Sequence, residues 1–209
     1  MSSKRSERWQ WAGLTLMLVA LCAWNINKSY ALKQDVANRT LATDQLRTSA
    51  VGQLDTMIKA QASSTEQEGK ILQWPEGMEK IIGEGEPADF GGHSVVLYFS
   101  ELSCNTCLDS ETQFINSLVD VTGGDGVRIV AHATNPRYVR NYARLNAVQS
   151  LLYFDEDNRF GELNKVTETP MVFLLNDRGE VVSAHYPLPE NPEWSEAFHN
   201  QILRMFGFM

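Results

Sequence analysis

Residues 94–119 read SVVLYFSELSCNTCLDSETQFINSLV, and the fold turns on how this stretch is divided. SVVLYF is a continuous run of apolar, β-branched and aromatic side chains, which predicts a strand buried on both faces. Beyond Cys104 the spacing changes: Leu108, Ile115, Leu118 and Val119 recur at helical intervals, and Ser103 can cap the helix they define. The stretch therefore predicts strand, turn and helix, with Cys104 and Cys107 at the junction in C-x-x-C spacing. Such a pair can be a redox couple, half of a metal site or a structural disulfide. At a helix start, unpaired amides and the positive end of the helix favour a thiolate at Cys104. Cys107, three residues on, falls on the same face. In thiol–disulfide exchange Cys104 attacks and Cys107 resolves the mixed disulfide. Zinc would need a second C-x-x-C or a close His pair, whereas His93, His132, His185 and His199 are scattered along the chain. Copper(I) would suit two thiolates with His132, at a strand end, as the nearest third ligand. A purely structural bridge usually closes a longer loop.

Downstream, strand and helix patterns alternate. Gly123–Gly126 marks a turn, VRIVAHA a second strand, and Asn135-Pro136 the cap and first position of a helix reaching about Val148. SLLYF predicts a third strand, DEDN a solvated turn rather than a calcium loop, and Phe160–Lys165 a short helix. MVFLL and EVVSAHY around Asn176–Gly179 predict a hairpin. Asn191-Pro192 opens a last helix with Trp194, Phe198, Ile202 and Met205 on one face. The order βαβαβ, short helix, ββ, α predicts an α/β domain: a mixed central sheet with helices on both faces.

Upstream, Lys4, Arg5 and Arg8 precede an apolar run from Trp11 to Trp24 in which Thr15 is the one polar side chain. With tryptophans at its ends, the run predicts a membrane helix whose basic side stays cytoplasmic. The expected organisation is a cytoplasmic tail over 1–8, a transmembrane anchor over 9–27, a helical stalk over 28–68, a linker with loops leading into the domain over 69–93, and the α/β domain over 94–209. A cleaved signal peptide ending at Ser29-Tyr30-Ala31 is the alternative for the anchor. In the stalk, Leu32, Val36, Leu46, Val51, Leu54 and Ile58 form a thin apolar stripe, suited to a spacer or to contact with a membrane protein complex. The net charge of −8 argues against a nucleic-acid partner. Three cysteines are too few for a disulfide scaffold. No cofactor is indicated.

The strand–CxxC–helix unit followed far downstream by Thr169-Pro170 and MVFLLNDRGEVV resembles the thioredoxin fold. Within it, YFDEDNRFGELNKVTETPMVFLLNDRGEVV is most similar to the membrane-anchored, extracytoplasmic TlpA/ResA type of thiol–disulfide oxidoreductase, over about Ser94 to Phe206. The resemblance implies a thioredoxin-like fold, with Cys104 as nucleophile and Cys107 as resolving thiol. It implies a cis Pro170 beside them, and Thr169, Asn105 and Thr106 at the substrate surface. It further implies protein thiols or disulfides outside the cytoplasm as partners, a single-pass location in the inner membrane with the domain in the periplasm, and a pair that reduces its substrates. The sequence departs from the family where aromatics are usual, at Ser100 and Ser103, and where thioredoxins bury an acid, at Tyr98. Glu101 is expected to point to solvent. The departures keep a second expectation in view, a non-catalytic accessory subunit of a respiratory or photosynthetic membrane complex.

Overall fold

The computed structural model describes residues 3–83 and 92–208, with side chains from residue 17 onward except 19 and 20. The chain divides into two units, Met1–Leu54 and Asp55–Met209. One helix, α1 (Ser3–Gln67), makes up the first unit and begins the second. In the first unit Leu32, Val36, Leu46, Val51 and Leu54 are exposed. An Asp35–Arg39 ion pair at 3.0 Å links successive turns of the polar surface. Most side chains of the expected anchor lie outside the described residues. Among those described, no helix is long and apolar enough to cross a membrane.

The second unit is built on a sheet of six strands: β1 (Glu79–Ile82), β2 (Ser94–Ser100), β3 (Val127–His132), β4 (Leu151–Asp155), β5 (Met171–Leu175) and β6 (Val181–His185). Their spatial order is β1-β4-β3-β2-β5-β6. β2, β3 and β4 are parallel, while β5, β6 and β1 run antiparallel to their neighbours. SVVLYF lies at the centre of the sheet with every residue buried, as its unbroken apolar run requires. Side chains alternate across the pleat. Val95, Leu97 and Phe99 face α2 (Asn105–Thr122), α3 (Pro136–Leu145) and α5 (Pro192–Met205). Val96 and Tyr98 face α4 (Arg159–Asn164) and the Leu72–Met78 segment. The sheet is thus covered on both sides, and the fold is thioredoxin-like.

Two local readings change. The stretch 69–93 contains β1, an edge strand whose four residues are exposed or half-buried, too short and too polar for periodicity to reveal. DEDN turns at the exposed Glu156 and Asp157, as expected, but its first residue ends β4 and is not solvated: Asp155 is 1 % exposed, and its carboxylate accepts hydrogen bonds from Arg159 N at 3.0 Å and Phe160 N at 2.8 Å. It satisfies the orphan amides at the start of α4. The last turns of α1 belong to this unit. Ala60, Ser64 and Gln67 are buried, Ser64 Oγ accepts from Tyr186 N at 3.2 Å, and Gln67 Nε2 donates to Lys165 O at 3.2 Å.

Candidate functional site

β2 leaves the core at Ser100, and the chain turns back on itself before α2. Ser103 N donates to Ser100 O at 3.0 Å, and Ser103 Oγ accepts from Ser100 N at 2.9 Å. Ser103 is therefore committed to the turn and does not cap the helix. The cap is Cys104, whose Sγ accepts from Cys107 N at 3.4 Å. The local geometry puts the sulfur itself on an amide at the positive end of α2. Cys104, Asn105 and Thr106 are exposed, whereas Cys107 is 5 % exposed.

The two sulfurs are not joined, and Cys107 Sγ lies 2.7 Å from Cys104 Sγ, placed to donate to it. Burial first, and then this hydrogen bond, push the Cys107 thiol up to about 12. An incoming group thus meets Cys104, with Cys107 protonated behind it.

Thr169 and Pro170 arrive from the start of β5, which pairs with β2 so that Met171 lies opposite Tyr98. The Thr169–Pro170 bond is cis, the form the resemblance implies. Thr169 Oγ1 and Ser100 Oγ hydrogen-bond at 2.9 Å. Ser100, one of the two serines noted in the sequence, therefore ties the cysteine turn to Thr169, while Ser103 holds the turn to Ser100. Tyr98, in the position of the thioredoxin acid, donates its hydroxyl to Asn158 Oδ1 and packs on Phe160. Burial raises it far above its ordinary range, so it supplies no proton exchange at neutral pH.

Glu101 does not simply point to solvent: its carboxylate accepts from Thr134 N and Thr134 Oγ1, each at 3.2 Å. His132, the copper candidate, hydrogen-bonds through Nδ1 with Asp155 O at 2.9 Å. Among the described residues no group of three His, Cys, Asp or Glu side chains is arranged to hold a metal ion.

Three residues near the sulfurs escaped the sequence reading. Tyr186, after β6, has its hydroxyl pushed up by burial and then by Glu168 and the two sulfurs. Glu111 and His199 form a hydrogen-bonded pair at 2.8 Å and line a cavity of about 350 Å³ that Cys107 also lines. Glu111 did carry a signal, since it falls three residues after Leu108 and four before Ile115, on the apolar stripe of α2. His199 carried none, being 88 residues from its partner.

No protein-family model matches this chain, and no curated protein matches it. Solved structures do. One is a protein from Chlorobium tepidum assigned as the thiol:disulfide interchange protein DsbE, with a TM-score of 0.52 and 18% identity, covering 67% of this chain and 98% of that one. Another is a thiol-disulfide isomerase from Corynebacterium glutamicum, with a TM-score of 0.50 and 12% identity, covering 65% and 96%. At these identities the likeness establishes the thioredoxin-like fold.

Proposed function

We propose that this chain is a membrane-anchored, periplasm-facing thiol–disulfide oxidoreductase that works as a reductant through Cys104 and Cys107. The observation that carries the reading is the asymmetry of the pair: an exposed sulfur capping a helix, 2.7 Å from a buried thiol one turn deeper. The hydrogen bond between Thr169 and Ser100 at the cysteine turn, and the fold shared with an interchange protein and an isomerase, support it. Cys104 as thiolate attacks a protein disulfide, forming a mixed disulfide and releasing one substrate thiol. Cys107 then loses its proton and attacks Cys104 Sγ, which frees the second substrate thiol. The pair ends as a disulfide, two electrons poorer, and the substrate ends as a dithiol. Thr169, Asn105 and Thr106 form the surface that meets the substrate. The basic residues before the run at 11–24 orient the domain outward.

The test is capture. In a Cys107→Ser variant the resolving thiol is gone, so mass spectrometry should find mixed disulfides through Cys104. If substrate proteins bearing disulfides leave Cys104 unmodified, the reading fails.

The exposed stripe Leu32, Val36, Leu46, Val51, Leu54 and Ile58 favours a second reading, an accessory subunit of a membrane complex. Stable co-purification, with function retained when both cysteines are serine, would establish that one instead.

A further inference from the structure

Glu111 lies one turn beyond Cys107 on α2 and is 0 % exposed. Its Oε2 is 2.8 Å from His199 Nε2 on α5. Its Oε1 is buried with no hydrogen-bond partner among the described residues. Burying a carboxyl group with an unused oxygen is costly, and an apolar side chain would serve this helix face better. The His199 ring is held by stacking on Phe114, centroids 3.8 Å apart and planes 5° from parallel. Cys107, Glu111 and His199 all line the cavity of about 350 Å³, together with Pro187, Leu188 and Pro192.

Other ionisable groups surround this cavity. Glu196 of α5 also lines it and is exposed. Glu190, from the loop after β6, acts electrostatically on Cys107 and disfavours its thiolate. His185 of β6 feels both Glu111 and His199, but its Nε2 is engaged with Ser195 Oγ at 2.8 Å. The Glu111–His199 pair is the buried base that shares a cavity with the buried thiol.

We infer that Glu111 and His199 together accept the proton of Cys107, and so control the resolving half of the exchange. This rests on the redox reading of the cysteines given above. With Cys104 in a mixed disulfide, the Cys107 S–H proton crosses the cavity through solvent to the pair. The Cys107 sulfur then bonds to Cys104 Sγ, and the bond from Cys104 to the substrate sulfur breaks. The substrate leaves as a thiolate and takes its proton from bulk water. In the reverse direction the pair returns the proton to Cys107.

The full chain in detergent, reduced and mixed with the chromogenic disulfide 5,5′-dithiobis(2-nitrobenzoate), separates the two halves. The first release of chromophore depends on reagent concentration and reports Cys104. The second is independent of concentration and reports Cys107. A Glu111→Gln variant should slow the second release at least about tenfold at neutral pH while leaving the first within about twofold. Its second-phase rate should keep rising into alkaline pH, because Cys107 must then ionise without help, whereas the wild-type rate levels off earlier. Equal second phases and equal pH profiles overturn the relay and leave the redox reading intact. A wild type with no second release overturns the redox reading and the relay with it. Should Glu111→Gln not fold by circular dichroism, His199→Gln receives the same test, with the same slowing and profile change expected and an unchanged profile overturning the relay.

Discussion

His185 is 1 % exposed, bonded to Ser195 and stacked on Phe198 with centroids 5.0 Å apart. Burial lowers its pKa from 6.5 to about 4. The unfolded chain therefore binds a proton at this site across a window in which the folded one does not. Its contribution to stability is full above about pH 6.5 and is lost as pH falls toward 4. Full loss corresponds to about 3 kcal/mol. Denaturant titrations of wild type and His185→Gln across this window should show a shallower acid decline in the variant; parallel declines would contradict the assignment. Cys107 runs with the opposite sign. Its raised pKa means that the dithiol form loses stability as pH climbs from about 9 toward 12. At this scale the sequence disclosed which cysteine is outer and which inner, because Cys104 stands at the helix start and Cys107 one turn further in on the same face. It did not disclose that Ser103 turns back to Ser100 and leaves capping to Cys104, since either residue has an acceptor to offer.

α4 shows how much one buried carboxylate can organise. It is a helix of six residues, and its first amides are met by Asp155 from the end of β4. Asp155→Ala would strand Arg159 N and Phe160 N, the latter in the core. The expected loss is about 2 kcal/mol, read as a lower denaturant midpoint at unchanged slope. An unchanged midpoint would show that the cap carries no weight. Among elements, those with long apolar runs or clear helical spacing, β2, β5, α2 and α5, were legible in the sequence. β1 was not: Glu79 and Lys80 are exposed, and its pairing with β4 is a tertiary event. The burial of Ser64 and Gln67 was equally hidden, because polar side chains that meet carbonyls and amides of distant loops leave no periodic trace.

For the whole molecule, the sequence pattern supplied the alternation of strands and helices and hence the fold. The position of β1 beyond β4, and the meeting of α2 with α5 around Glu111 and His199, arise from packing between segments far apart in the chain. The proposed anchor over 9–27 makes a claim at this scale. The full chain should stay with membranes through an alkaline carbonate wash, and a chain lacking residues 1–28 should be released. Release of the full chain would contradict the anchor. The central claim is that Cys104 and Cys107 form one reversible two-electron couple. Equilibration with glutathione buffers, followed by alkylation and mass analysis, measures its potential. The account predicts a single two-electron transition nearer about −270 mV than about −120 mV, as befits a reductant. A pair that forms no intramolecular disulfide at any poise, or one that titrates near about −120 mV, would contradict it.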